Sequence, residues 1–144
     1  MKAVIQRVNK AKLICGDFSS EIKKGLVVYF GVAKGDKNEN VIKIAKKIAE
    51  MRIFKDENDK MNLSIKDIGG EILAVSQFTL LADCSRGNRP GFDNAENPIR
   101  ANELYQKFIN ELILHGLTVK TGVFGGDMTI YQENQGPVTI IYEI

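Results

Sequence analysis

The sequence has few of the side chains that metal sites and disulfide frameworks need. Its 144 residues include one histidine, two cysteines and no tryptophan. Cys15 and Cys84 are far apart and form no CxxC pair, so we expect free thiols. With one imidazole and no HExxH motif, the chain offers almost nothing to hold a metal ion, and we expect neither metal nor cofactor.

Side chains for nucleophilic catalysis are equally scarce. No GxSxG motif is present. The one histidine, His115, falls in the last turn of a predicted helix, where its side chain would interact favourably with the helix dipole. Ser76 and Thr79 are possible nucleophiles, but no base stands near them in sequence. Their alternative interpretation is hydrogen bonding at the end of a strand.

Long apolar runs and a strong charge of one sign are also missing. No stretch reaches transmembrane length, and the first residues do not follow a secretory pattern, so we expect a cytoplasmic protein without a membrane partner. A net charge of +2 is too small to predict nucleic-acid binding. Local basic pairs could bind RNA or simply face solvent: Lys10 with Lys12, Lys23 with Lys24, and Arg86 with Arg89.

What is present is an ordinary globular composition, with 44% hydrophobic and 26% charged residues, which predicts one domain over residues 1–144. The apolar run Leu26–Val32 predicts a strand buried on both faces. Two helices follow from a 3.6-residue period. The first has Val41, Ile44, Ala45, Ile48 and Ala49 on one face, with Asp36 as N-cap and Glu39 completing a capping box. The second begins at Asn97 and Pro98, ends at Gly116, and has an apolar face of Ile99, Tyr105, Phe108, Ile109, Leu112 and Ile113.

Strands are predicted at Ala3–Val8, Arg52–Phe54, Glu71–Val75, Leu117–Thr121, Met128–Gln132 and Val138–Ile144. Because helices and strands do not alternate strictly, the pattern favours an α+β fold. The fifteen residues Asp83–Asn97 show little periodicity and predict a long irregular loop, which in compact domains is often functional.

The segment Asn134–Thr139 interrupts the last two predicted strands with a Gly-Pro step. Pro137 cannot donate to a ladder, and Gly136 can adopt backbone angles closed to other residues. The pair therefore predicts either a plain hairpin turn or a rigid stretch of backbone directed at a ligand.

Five segments in a fixed order resemble the bacterial form of the D-aminoacyl-tRNA deacylase family. They are Met1–Val8, Met61–Ser64, Ser76–Leu80, Gly87–Phe92, and Thr121–Met128 leading into Gly136–Pro137. The chain departs from the family pattern in having Gln135 before the Gly-Pro and Cys84–Ser85 in the loop.

The resemblance implies a fold of two stacked, barrel-like sheets with two main helices packed outside, assembled as a homodimer. It implies hydrolysis of D-aminoacyl-tRNA, and of glycyl-tRNA, with L-aminoacyl-tRNA refused. Ser76, Gln77, Phe78 and Thr79 would form the pocket, with backbone groups of Gln77 and Phe78 holding the ester carbonyl. A cis Gly136–Pro137 step from the partner subunit would exclude L residues. Arg7, Met128 and Asn134 would complete the substrate-binding set.

Three alternatives stay open at this point. Phe78 could be a core residue rather than part of a pocket. The chain could bind RNA without catalysis, although the irregular loop has only Phe92 as a stacking aromatic. It could also hydrolyse small esters, with Ser76 or Thr79 as a true nucleophile.

Overall fold

The computed structural model describes all residues from Met1 to Ile144. It contains eight strands, two α-helices and one 3-10 helix. In chain order these are β1 (Lys2–Cys15), β2 (Phe18–Ile22), β3 (Gly25–Gly31), α1 (Asn38–Glu50), β4 (Phe54–Lys55), β5 (Met61–Leu63), β6 (Glu71–Ser76), the 3-10 helix (Phe78–Leu81), α2 (Pro98–Leu114), β7 (Thr118–Thr121) and β8 (Thr129–Glu143). The expected α+β fold with two main helices is confirmed.

Six of the strands form one strongly curved sheet. Its order is β2-β1-β3-β6-β7, and β8 runs antiparallel to β1 along the whole length of β1. One edge of β1 pairs first with β3 and then with β2. Register shifts on either side of Val8 mark the bend, and the curl brings β2 close to β6 and β7, which gives the sheet its barrel-like form. Strands β4 and β5 form a separate two-stranded ribbon.

Two apolar clusters fill the two faces of this sheet. On β3, Leu26, Val28 and Phe30 face the larger cluster, which includes both helices, while Val27 faces a smaller cluster inside the curl. The predicted burial of this strand on both faces is confirmed. The Phe30 and Phe108 rings stack with centroids 4.2 Å apart, and so fix α2 against the sheet.

The ends of α2 match their sequence signals. The Asn97 side chain accepts a hydrogen bond from the Arg100 N–H at 3.0 Å, Pro98 opens the helix, and Gly116 follows it with φ +83°. The predicted apolar face was too wide, because Ile99 and Ile113 are exposed. Neither α-helix combines the length and the apolar character needed to cross a bilayer.

The predicted start of α1 was wrong. The residue before the helix is Lys37, whose N–H donates to the Asn40 side chain at 3.0 Å. The Asp36 carboxylate instead accepts a hydrogen bond from the Ala33 N–H at 2.7 Å, and this bond stabilises the preceding turn. The predicted strand at Arg52–Phe54 is also shifted, since pairing begins only at Phe54.

The C-terminal third contains one strand where two were predicted. β8 pairs with β1 both before and after the Gly-Pro step, from Thr129 to Glu143. The interpretation of Gly136–Pro137 as a plain hairpin turn is therefore wrong. The pair forms an irregularity in a continuous strand, which leaves its backbone outside the ladder.

Candidate active site

A cavity of about 460 Å³ opens where the parallel strands β3 and β6 end. Its walls come from the end of β6, the start of α2 and the segment between β7 and β8. The lining residues are Phe30, Val32, Val75, Ser76, Gln77, Phe78, Glu96, Pro98, Ala101, Tyr105, Phe124, Gly125, Gly126, Asp127, Met128 and Ile130. A concave, mostly apolar cavity with a few polar groups is the usual form of a small-ligand site.

Hydrogen bonds fix the Ser76–Thr79 segment at the mouth of this cavity. The Gln77 N–H donates to the Phe30 carbonyl at 2.8 Å and extends the β3–β6 pairing by one residue. The chain then turns into the 3-10 helix, which lies close to Gly31: a Cβ there would be 2.9 Å from the Gln77 carbonyl oxygen and 2.6 Å from the Leu81 side chain. Glycine at position 31 therefore allows this helix to sit directly on β3.

Phe78 is not a core residue. Its side chain is 57% exposed, lines the cavity and meets the Phe92 ring edge-on with centroids 5.0 Å apart. The Phe78 N–H is the first in the 3-10 helix, so it has no acceptor within that helix. The Gln77 N–H is already occupied, which leaves the Phe78 amide as the better candidate to hold an ester carbonyl.

Neither hydroxyl group of this segment is hydrogen-bonded to a base. Ser76 lines the cavity, whereas Thr79 is exposed and is not a lining residue, and its Oγ1 accepts a hydrogen bond from Gln77 Nε2. His115 caps the C-terminus of α2 and is not among the lining residues. The arrangement offers positioned polar groups and backbone dipoles rather than an activated nucleophile.

Sequence patterns did not reveal three titratable side chains of the cavity: Glu96, Asp127 and Tyr105. Glu96 Oε1 accepts hydrogen bonds from the backbone and side-chain N–H groups of Asn97. Burial raises the pKa of the Tyr105 phenol, which donates to the Ala74 carbonyl at 2.8 Å and so stays protonated. Tyr105 was predicted only as part of the helix face, and its place in the cavity wall depends on the tertiary packing.

The Gly136–Pro137 step is exposed, and its peptide bond is cis. Gly136 has φ +122°, a conformation that L side chains rarely adopt. Arg7 is only 3% exposed and lies directly behind it. Its Nε donates to the Gln135 carbonyl at 3.2 Å and its Nη1 to the Ile53 carbonyl at 2.5 Å, while no carboxylate lies within ion-pair distance.

Amide side chains link the strands beside this step. Gln132 Nε2 donates to Gln6 Oε1 and to Asn134 Oδ1, each at 2.7 Å, and its Oε1 accepts from the Tyr29 hydroxyl at 2.9 Å. The network ties β3, β1 and β8 together immediately before Gly136. Asn134 is thus part of the support of the Gly-Pro step, not of the cavity.

The residues assigned to the site from sequence fall into two separate groups. Ser76, Gln77, Phe78 and Met128 line the cavity, and Thr79 is hydrogen-bonded to Gln77, whereas Arg7, Asn134, Gly136 and Pro137 do not line it. Gly136 lies six residue steps along β8 from Ile130, which is at the cavity, and this corresponds to roughly 20 Å of extended strand. Within one chain the Gly-Pro step therefore lies well away from the cavity.

The sequence model of the family described as D-Tyr-tRNA(Tyr) deacylase matches residues 4–143 of the chain. The chain belongs to this deacylase family. It is accordingly a hydrolase that acts on the ester bond of D-aminoacyl-tRNA, as its family and its relatives' names indicate.

Relatives and solved structures match over the whole length. The D-aminoacyl-tRNA deacylase of Lactobacillus delbrueckii subsp. bulgaricus is 54% identical, with both chains fully covered. The deacylase of Persephonella marina is 53% identical over 99% of this chain and 97% of its own. The solved structure of a c-Myc DNA Unwinding Element Binding Protein superposes with a TM-score of 0.93 at 37% identity, covering 100% of this chain and 99% of its own. The solved structure of a probable eukaryotic D-amino acid tRNA deacylase superposes with a TM-score of 0.84 at 17% identity, covering 99% of this chain and 98% of its own. At this low identity the similarity supports the fold alone.

Proposed function

We propose that the enzyme selects D-aminoacyl-tRNA by means of the Gly136–Pro137 backbone rather than through a side-chain pocket. The observation that carries the proposal is the exposed glycine at φ +122° with a buried guanidinium directly behind it. A rigid main-chain surface placed against a substrate Cα accepts the D configuration, whose side chain points outward, and collides with the side chain of an L residue. Any D side chain then fits, and so does achiral glycine.

The chemistry we infer uses geometry instead of a nucleophilic residue. A water oxygen attacks the carbonyl carbon of the ester, and the Phe78 amide stabilises the oxyanion that forms. The bond from that carbon to the ribose oxygen then breaks, and the oxygen takes a proton, which releases free tRNA and the D-amino acid. The neighbouring ribose hydroxyl can assist the water, since an aminoacyl ester is already activated and needs positioning more than a strong base.

A homodimer would bring the two groups of site residues together. The cavity and the Gly-Pro step lie far apart in one chain, so the step would enter the cavity of a second copy. The outer edge of β8 supports this proposal: β8 pairs only with β1, none of its fifteen residues is buried, and Tyr131 and Ile141 are 60% and 68% exposed. Long unprotected edge strands are rare in natural proteins because they promote association.

In this proposal the whole chain is one domain that works in the cytoplasm, where charged tRNA is used, and removes D-amino acids before translation. The Ser76 and Thr79 hydroxyls position groups in the cavity and do not attack the ester. A small-ester hydrolase would need a base hydrogen-bonded to one of them, and neither hydroxyl is hydrogen-bonded to a carboxylate or an imidazole. One solved relative is named for binding a DNA element, which is said of that protein alone, and no feature of this chain's cavity favours such a ligand.

The deciding experiment compares amino-acid release from matched D- and L-aminoacyl-tRNA with at least two different side chains. We expect rapid release from both D substrates, slower or comparable release from glycyl-tRNA, and little from the L forms. Equal rates on D and L esters would contradict the proposal.

The composite site can be tested separately by mixing two inactive variants. Gly136→Ala removes a working Gly-Pro step, and Ala101→Trp fills the cavity, because Ala101 is one of its lining residues. If each site combines two chains, random exchange leaves one intact site in every mixed dimer, so the mixture recovers about a quarter of the parent activity. No recovery, or a fully active monomer in light scattering, would reject the dimer.

A further inference from the structure

The loop that follows the 3-10 helix carries two arginines on an exposed support. Residues 84–90, all exposed, are closed at their base by two backbone hydrogen bonds between Asp83 and Gly91, at 2.8 and 2.9 Å. We call residues 84–92 the basic loop. Its charged side chains are Arg86 and Arg89, and neither has a carboxylate within ion-pair distance.

The basic loop is attached to the rim of the cavity. Phe92, at its end, contacts the Phe78 ring, and Phe78 lines the cavity. At its start the Asp83 carboxylate accepts a hydrogen bond from the Ser85 N–H at 2.9 Å, and hydrogen bonding by the side chain and then the backbone of Ser85 holds the pKa of Asp83 below its usual value. That carboxylate is therefore engaged in shaping the loop.

Charge changes sign between the cavity and the basic loop. The cavity wall contains two carboxylates, Glu96 and Asp127, and no lysine, arginine or histidine. A phosphate group would be repelled from such an interior, whereas the α-ammonium of an aminoacyl ester would be attracted to it. Outside the rim, the two free arginines would attract a phosphate group and repel an ammonium group.

We propose that the basic loop binds the phosphodiester backbone at the 3′ end of the RNA substrate while the aminoacyl group enters the cavity. The inference rests on the proposed function and adds the orientation in which the substrate docks. Arginine suits this role because its planar guanidinium bonds two phosphate oxygens at once. Contacts of this kind position a nucleic acid without reading its sequence.

The test uses the double variant Arg86→Ala/Arg89→Ala and a control that removes the same charge elsewhere, Lys43→Ala/Lys46→Ala on the exposed face of α1. Each is assayed on D-aminoacyl-tRNA and on a D-aminoacyl ester of adenosine, which has no phosphodiester. For the arginine variant we expect KM on tRNA to rise on the order of tenfold at low salt, with kcat kept. The slope of log affinity against log salt should fall by about 0.7 per arginine.

On the adenosine ester the arginine variant should match the parent, and the lysine control should match the parent on both substrates. An unchanged KM and salt slope on tRNA would overturn the proposal. So would an equal loss on the adenosine ester, because the loop would then act through the Phe92–Phe78 contact.

Binding of an RNA hairpin that carries no amino acid and ends in a single-stranded CCA separates this proposal from the catalytic one. If the parent binds the hairpin through the arginines but releases no D-amino acid, the proposed function fails and the RNA contact stands. If D-aminoacyl-tRNA is cleaved but hairpin binding does not depend on the arginines, the basic loop is not the RNA contact.

Discussion

Replacing Gly136 by alanine perturbs the proposed chirality filter with the smallest possible change. An added Cβ would lie 3.0 Å from Arg7 Nη2 and 3.1 Å from both the backbone nitrogen and Cγ2 of Val138. The backbone must also keep φ +122°, which for a residue other than glycine costs on the order of 1–3 kcal/mol. For a chain of this length the free energy lost corresponds to a Tm lowered by about 2–10 °C.

Activity should fall much further than stability. The methyl group and the side chains it displaces would move the Gly-Pro backbone by a sizeable fraction of an ångström, and a shift of about 1 Å at a reacting centre can cost roughly a hundredfold in rate. We therefore expect kcat/KM on D-aminoacyl-tRNA to fall by about a hundredfold or more, measured by release of labelled amino acid. The melting temperature of the same sample reports the structural part of the effect.

Gly116→Ala is the matched control for this change. Gly116 also has positive φ, +83°, but a Cβ there would meet nothing within 4 Å, and it follows α2 away from the cavity lining. This variant should lose stability to a similar degree and keep its activity. If Gly136→Ala melts like the parent and still cleaves D-aminoacyl-tRNA at nearly the parent rate, the Gly-Pro step has no part in selection and the reasoning is wrong.

Three further predictions concern the hydroxyls, the buried guanidinium and acid. Ser76→Ala and Thr79→Ala should each keep substantial deacylase activity, and a loss beyond roughly a thousandfold for either would identify a true nucleophile. Arg7→Lys leaves one buried carbonyl without its hydrogen-bond donor, so the Tm should fall by an amount equivalent to about 1–3 kcal/mol. Cleavage of D substrates should fall as well, and an unchanged Tm would contradict this prediction. Hydrogen bonds, chiefly from the backbone N–H groups of Lys60 and Ser64, lower the pKa values of Asp56 and Asp67. The two carboxylates stabilise the fold fully above the pKa of an unfolded Asp, about 4, and this stabilisation is lost as pH falls through their lowered pKa values. The Tm should therefore fall steadily from about pH 5 to 2, and a constant Tm over this range would contradict the prediction.

Elements with local signals could be predicted well from the sequence. The ends of α2 depend on Asn97, Pro98 and Gly116, each of which acts on its own backbone or on the next turn. The apolar run of β3 required burial on both faces wherever the strand was placed. Such features do not depend on distant parts of the chain, so the pattern alone was sufficient.

Features that depend on distant partners were missed or misjudged. Local sequence left a plain turn open for the Gly-Pro step because its neighbours are strand-like, but the strand pairs with β1, more than a hundred residues earlier, on both sides of the step. Glu96 and Asp127 follow no catalytic motif and meet only because α2 and the β7–β8 segment close over the end of β6. Ile99 and Ile113 match the helical period, yet nothing in the chain covers those turns of α2.

If the Gly-Pro step selects the substrate as proposed, the guanidinium behind it should make that selectivity independent of ionic conditions. The hydrogen-bond partners of Arg7 are two uncharged carbonyl groups, and its burial shields it from dissolved salt. Phosphate contacts through exposed arginines, as proposed for the basic loop, weaken by contrast as salt rises. Ionic changes should therefore slow the enzyme on every substrate while leaving the ratio of D to L cleavage constant, so that throughput varies and stereochemical fidelity does not.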